Sequence, residues 1–281
     1  MHTTKKLITT MAVIVSLGGM TTACDEEGGG NSRYPEPSAG ACFDSDSGNY
    51  SETGPYKWTR TRVDGVDAYV PRATPGGCDT FPLIGFAMGT FMGEGVYEDY
   101  YSHFASWGMM TIVDPDNLLN LGGSSLEGHL RAVLRSSEYG DRISKTGVIG
   151  HSQGGAAAVN IAMQQDVQVE ALVGLMPALF TGSGDIDAAG LYIGASADLF
   201  GTFTEPERAY AKTDGPAFLA DLGGEGHIGA VNGGEALSMS TTWFRCHLGG
   251  DDNACAIFDS SKSGNCTAFP GRWRKCEGKN F

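Results

Sequence analysis

The stretch Lys145–Met163, KTGVIGHSQGGAAAVNIAM, constrains this chain more than any other. A short apolar run, Val148-Ile149, leads into Gly150-His151-Ser152-Gln153-Gly154, and small residues of high helical propensity follow at once. That order reads as strand, sharp turn and helix, with a serine at the tip. The turn is so tight that side chains beside the serine would collide with neighbouring backbone. Gly150, Gly154 and Gly155 leave those side chains out. The serine is thereby lifted clear of the strand end, and the helix behind it directs backbone N–H groups and a positive dipole end toward any developing oxyanion. A bare G-x-S-x-G is weak in a chain with 42 glycines. The strand-like and helix-like flanks make it a nucleophile motif.

A serine hydroxyl needs a base to take its proton and an acid to orient that base. On a strand-turn-helix elbow these partners follow in the order Ser, Asp or Glu, His. Downstream of Ser152 only His227 and His247 occur. His227 sits in the glycine-rich run Gly224-Glu225-Gly226-His227-Ile228-Gly229, directly after an apolar strand, and is the expected base. His247 ends a helix beside Cys246 and is expected to cap or pack. Of the aspartates between Ser152 and His227, only Asp198 follows closely on an apolar strand, in Gly194-Ala195-Ser196-Ala197-Asp198. It is the expected acid, at the sheet edge where ligands gather. The oxyanion donors are expected to be the N–H groups of Gln153 and of Phe86, after the run FPLIGFA. His151 reads as shaping the elbow and lining the substrate site.

From Tyr56 onward strand-like and helix-like segments alternate, the pattern of a mostly parallel sheet covered by helices on both faces. YKWTRT and DAYVPRA read as an opening antiparallel pair. FPLIGFA, MMTIVD, TGVIG, ALVGLMP, GLYIGAS and AFLADLG read as the remaining strands, the last of them closing the sheet. Helices are expected over Glu94–Trp107, with Val96, Tyr100, Phe104 and Trp107 on one face, over Ser125–Ser136, after the elbow, and finally over Glu235–His247. The segment between the strands ending near Pro177 and starting near Gly190 is too short for lid helices. An open cleft is therefore expected. Asp251-Asp252 reads as a solvated acidic loop, with a calcium site as the alternative, and the residues after His247 as a disulfide-held tail.

At 281 residues and 41% hydrophobic, the chain can bury one core, and residues 42–281 are expected to form one domain. A net charge of −14 excludes a basic nucleic-acid footprint. Lys5, Lys6 and the apolar run Leu7–Met20 have the form of an export signal, residues 1–23. Thr21-Thr22-Ala23-Cys24 resembles a bacterial lipoprotein box, with Thr21 where leucine is usual; Cys24 would then tether the chain to a membrane, and plain secretion is the alternative. Residues 24–41, polar and rich in Gly, Pro and Ser, read as a flexible linker. Cys42, Cys78, Cys246, Cys255, Cys266 and Cys276 remain, an even set in an exported chain, which points to disulfides. Sequence proximity favours the pairs 42–78, 246–255 and 266–276. No C-x-x-C or H-x-x-x-H pair is present, so no metal is expected.

With these residues placed, the chain resembles the bacterial cutinase-like polyester hydrolases of the α/β-hydrolase superfamily, a group that includes PET-degrading enzymes, and related dienelactone-hydrolase-like proteins. The resemblance runs from about Tyr56 to Cys276. It is carried by Gly85-Phe86, Phe104-Ala105-Ser106-Trp107-Gly108, Thr111-Ile112-Val113-Asp114, Gly150–Gly155, Ala195-Ser196-Ala197-Asp198, Gly226-His227, Thr242-Trp243-Phe244-Arg245 and the cysteine-bearing tail. It implies a Ser152, Asp198 and His227 triad with Phe86 and Gln153 as oxyanion donors, acting without a cofactor in a monomer. The chain departs from the family at Gln153, where methionine is usual. It also lacks the aromatic-clamping tryptophan, whose neighbourhood holds Leu179 and Phe180. The expected activity is hydrolysis of small or polymeric carboxylic esters. General lipase or esterase, amidase, peptidase or acyltransferase chemistry would use the same triad. A non-catalytic binding module on the same fold is the alternative outside catalysis.

Overall fold

The computed structural model describes residues 27–28, 48–73, 79–116, 121–179, 182–261, 264, 266–269 and 271–281. The expected export segment, Cys24, Cys42, Cys78 and Phe180 lie outside them. The strands are β1 (Glu27–Gly28), β2 (Trp58–Val63), β3 (Val66–Pro71), β4 (Phe81–Ala87), β5 (Met110–Asp114), β6 (Ile143–His151), β7 (Ala171–Leu175), β8 (Ala189–Gly194), β9 (Ala217–Leu222) and β10 (Trp273–Lys279). They form one sheet in the order β1-β2-β3-β5-β4-β6-β7-β8-β9-β10. The span from β5 to β9 is parallel, while β1, β2 and β3 at one edge and β10 at the other are antiparallel. This is the α/β-hydrolase arrangement expected from the alternation of segments.

The central strands are apolar on both faces because both faces are covered. Neighbours along a strand point to opposite sides. Ile84, Ile149 and Val173 join one core with α1 (Glu98–Ser106), α5 (Gly234–His247) and α6 (Asp252–Ser261). Leu83, Val148 and Leu172 join another with α2 (Ser124–Leu134), α3 (Gln153–Gln164) and α4 (Thr204–Lys212). β6 occupies the middle, between β4 and β7, so the serine at its end emerges near the centre of the sheet edge. Among the described residues, the β7–β8 connection 176–188 contains no helix, and the end of β6 has no lid over it. Also among them, no helix is long and apolar enough to cross a membrane.

Several expectations are corrected. The first helix opens with a 3-10 turn at Glu94–Tyr97, which changes the residue spacing, so Tyr97 turns inward and Val96 is exposed. Helices α4 and α6 were not expected. Only Pro206 and Ala209 of α4 are buried, too few to print an apolar stripe. AFLADLG is not the last strand. The tail adds β10, an edge strand whose charged pattern WRKCEGK hides its pairing with β9. Glu27–Gly28, within the expected linker, pairs with Trp58 and Thr59. The pairs Cys246–Cys255 and Cys266–Cys276 are disulfides, the first joining α5 to α6 and the second anchoring β10.

Asp251 is not in a solvated loop. Its side chain is fully buried and one oxygen receives Arg245 (Nη2 at 2.8 Å, Nε at 3.1 Å) and the Tyr50 hydroxyl at 2.8 Å. The other oxygen caps α6 by accepting the N–H groups of Asn253 and Ala254. A buried guanidinium is tolerable only with such a partner. The same carboxylate therefore ties the segment around Tyr50 to α5 and α6. Asp251→Ala is expected to lower stability by about 3–5 kcal/mol, and Tyr50→Phe by about 1 kcal/mol. Denaturant melts of the two variants check the ranking; an Asp251→Ala loss no larger than that of Tyr50→Phe would contradict it.

Candidate active site

Ser152 occupies the joint between β6 and α3 with φ 57° and ψ −121°, a conformation that costs a non-glycine residue about 1–3 kcal/mol. The flanking glycines show what holds it there. A Cβ at Gly150 would fall on the carbonyl of Gly154, and one at Gly154 on the carbonyl of Ala87. A Cβ at Gly155 would lie 3.0 Å from the Gly150 carbonyl oxygen and from Pro177 Cα. The Ser152 backbone is pinned as well. Its N–H donates to the Leu175 carbonyl at 2.9 Å, and its own carbonyl accepts the N–H groups of Ala156 at 3.1 Å and Ala178 at 3.0 Å.

His227 reaches over this tip from the loop after β9. Its Nε2 lies 2.7 Å from Ser152 Oγ and its Nδ1 lies 2.7 Å from Asp198 Oδ2. Asp198, in the loop after β8, is fully buried on its side chain. Its second oxygen accepts the N–H groups of Phe200 at 2.7 Å and Gly201 at 2.9 Å, so both carboxylate oxygens are satisfied. Asp221, one of the aspartates set aside, ends β9 and accepts the Ser196 N–H at 2.9 Å, steadying the turn that carries Asp198. His247 is remote from the triad, its ring tilted against that of Trp243 with centroids 4.1 Å apart.

Neither a family model nor a curated protein sequence matches the chain. The geometry supplies the classification instead: an α/β fold bearing a Ser152-His227-Asp198 triad, with the chemistry of a serine ester hydrolase. An imidazole placed between a hydroxyl and a carboxylate can take the serine proton, and the carboxylate stabilises the imidazolium that results. Among the described residues, no group of three or more His, Cys, Asp or Glu side chains is placed to hold a metal ion.

Two expected site residues are placed elsewhere. Phe86 is inside β4, paired with Val113 on one side and Ile149 on the other, so its N–H belongs to the sheet ladder. Its fully buried ring packs on Tyr97, Tyr100 and Tyr101. The loop facing the serine begins after the strand, with Met88. His151 is 1% exposed, beneath His227 rather than facing substrate. Its Nε2 is 2.8 Å from the His227 carbonyl and its Nδ1 is 2.8 Å from the Tyr97 hydroxyl. Leu179 is exposed, one residue beyond the Ala178 N–H that binds the Ser152 carbonyl. Buried Gln153 begins α3, and its side-chain oxygen accepts the Thr90 hydroxyl, joining the helix start to the loop after β4.

An apolar rim was not anticipated. Phe91, Leu199 and Phe200 are 82%, 90% and 81% exposed, and Ile228 is exposed beside His227. The Phe200 and His227 ring centroids are 5.6 Å apart. The signal was present in chain order, since Leu199-Phe200 follows Asp198 and Ile228 follows His227. Periodicity does not reveal it, because loop residues have no period.

Burial pushes His151 down to about 4 from an ordinary 6.5, and does the same to His103 and His247. Below 6.5 the unfolded chain takes up protons at these positions while the folded chain does not until about 4. Their contribution to stability is therefore complete above that window and lost as pH falls through it. The thermal midpoint is expected to drop steadily from pH 6.5 to 4. A flat midpoint over that range would contradict the buried neutral histidines.

Proposed function

We propose that the protein hydrolyses carboxylic esters with bulky apolar acyl or alcohol parts, cutin-like and synthetic polyesters among them, through an acyl-enzyme on Ser152. The observation that carries this reading is an open triad whose own and adjoining loops bear Phe91, Leu179, Leu199, Phe200 and Ile228, all exposed, with the Phe200 ring 5.6 Å from that of His227. Scattered exposed apolar residues are ordinary. Five drawn from the loops that carry or adjoin the reacting groups form a contact zone for an apolar substrate. The motif resemblance to cutinase-like polyester hydrolases supports the same substrate class.

In this mechanism His227 removes the Ser152 proton as Oγ attacks the ester carbonyl carbon. The tetrahedral oxyanion is received by the N–H of Gln153, at the first turn of α3 where helix N–H groups have no intrahelical acceptor. The second donor is the N–H of Met88 rather than of Phe86, because Met88 is the first residue beyond the ladder and its loop lies against Gly154. His227 then protonates the leaving alcohol, and water activated by the same imidazole releases the acid. The described disulfides and the Lys5-Lys6 and Leu7–Met20 pattern support export from a bacterial cell, either free or tethered through Cys24.

Hydrolysis of p-nitrophenyl esters from acetate to palmitate, and product release from a polycaprolactone film, test the reading with Ser152→Ala alongside. Activity on both should vanish in the variant. The double change Leu199→Ser, Phe200→Ser should reduce film release about tenfold more than acetate hydrolysis, the loss expected when apolar contact area is removed. Equal losses on film and acetate would overturn the apolar-surface reading, and a folded wild type inert on every ester would overturn ester hydrolysis.

A further inference from the structure

His227 and the residues after β4 that face it stand on loops rather than on strands or helices. His227 lies among Gly223, Gly224, Gly226 and Gly229, a run of high backbone freedom. The loop opposite, Met88-Gly89-Thr90-Phe91, ends in an exposed aromatic. Yet the positions of both decide whether Oγ, base and oxyanion donors meet within reach of one carbonyl. Both are held by the same buried hydrogen-bond chain, and that chain passes through the residue next to the nucleophile.

The direction of the chain follows from chemistry. A carbonyl can only accept, so His151 Nε2 carries the proton and donates to His227 O at 2.8 Å. A neutral ring then has Nδ1 free to accept, and the Tyr97 hydroxyl donates to it at 2.8 Å. The Tyr97 oxygen in turn accepts the Gly89 N–H at 3.1 Å. Burial keeps His151 neutral, which maintains this single arrangement. The His151 backbone is itself fixed in the ladder opposite Leu175, giving the two loops a rigid reference.

We propose that Tyr97 and His151 are positioning residues, which hang the oxyanion loop and the His227 loop on the end of β6 and so set their separation across Ser152. The proposal rests on the serine-hydrolase reading above. A second observation points the same way. A Cβ at Gly89 would lie 2.8 Å from His151 Nδ1 and 3.0 Å from the Tyr97 hydroxyl oxygen, so the relay leaves room only for glycine there. Neither Tyr97 nor His151 touches substrate, because both are buried below the triad. Their removal acts through geometry, and displacement of reacting groups by about 1 Å can cost on the order of 10²-fold in rate.

The test compares four variants. Tyr97→Phe deletes the hydroxyl with little change of shape. His151→Gln can place an N–H where Nε2 stands and keep the bond to His227 O, whereas His151→Asn can reach only the Nδ1 position. Gly89→Ala keeps every donor and acceptor but crowds the relay, and it serves if Tyr97→Phe does not fold. Turnover of p-nitrophenyl butyrate, hydrogen exchange of the 223–229 peptide and labelling by a serine-reactive phosphonate are read on the full chain. The expected result is a fall in kcat of about tenfold or more in Tyr97→Phe and Gly89→Ala, with KM within about twofold. His151→Gln should retain about fivefold more kcat than His151→Asn. Exchange at 223–229 should be faster in Tyr97→Phe and His151→Asn than in wild type. Equal kcat in the Gln and Asn variants, or wild-type kcat and exchange in Tyr97→Phe, would overturn the proposal. If the wild type neither labels nor turns over while the exchange differences appear, the serine-hydrolase reading fails and the tether stands. Normal labelling and turnover in every variant would sink the tether and leave the hydrolase reading intact.

Discussion

The close approach of backbone to backbone at Ser152 is the constraint on which the rest depends. For the serine to stand clear of β6 at φ 57°, the start of α3 must press against the strand end and against the loop after β4. Two positions in that contact, Gly150 and Gly154, have no space for a Cβ, and Gly155 has little. The strain is local, about 1–3 kcal/mol, and is offset by burial of α3 along nearly its whole length, with Ala156, Ala157, Ala158, Val159, Ile161 and Ala162 in the core. Small side chains allow the helix to sit close to the sheet. The close fit in turn places the Gln153 N–H and the Met88 loop beside one another.

Polar groups around this centre are buried but rarely left unpaired. Asp198 accepts two backbone N–H groups besides His227, Asp251 accepts from Tyr50, Arg245 and the start of α6, and His151 uses both ring nitrogens. The three solve the same desolvation problem in different ways. The aspartates gather donors on both carboxylate oxygens, whereas burial makes His151 a neutral link with one donor and one acceptor. That difference suits their places. A triad acid must stay ionised beside an imidazole, while a strut between two loops must keep one fixed hydrogen-bond direction.

Ser152, Asp198 and His227 were legible because each follows an apolar strand, Ser152 at once and the other two within the next loop, and parallel strands deliver their C-terminal ends to one edge. The central strands were legible for a related reason, since continuous apolar runs mark burial on both faces. Strand β10 was not, because an edge strand carries charge and pairs on one side only. Helix α4 presents two buried residues and no stripe. That Phe86 and Ala87 still pair on both sides is not legible either, because where a ladder stops depends on the neighbouring strands.

Fold class, nucleophile and the identity of its partners can be read from the chain unfolded, because those depend on local steric demands and on chain order. The pairing Cys246–Cys255 also followed from short separation. Only folding reveals that His151 lies beneath His227 with Tyr97 as its donor, that Asp251 is the buried partner of Arg245, and that the Phe200 ring lies 5.6 Å from that of His227. These are contacts between residues far apart in the chain, and no periodicity or spacing encodes them. They exist because the sheet brings the ends of β4, β6, β8 and β9 to one edge, where the direction of each hydrogen bond is set by which atoms can donate.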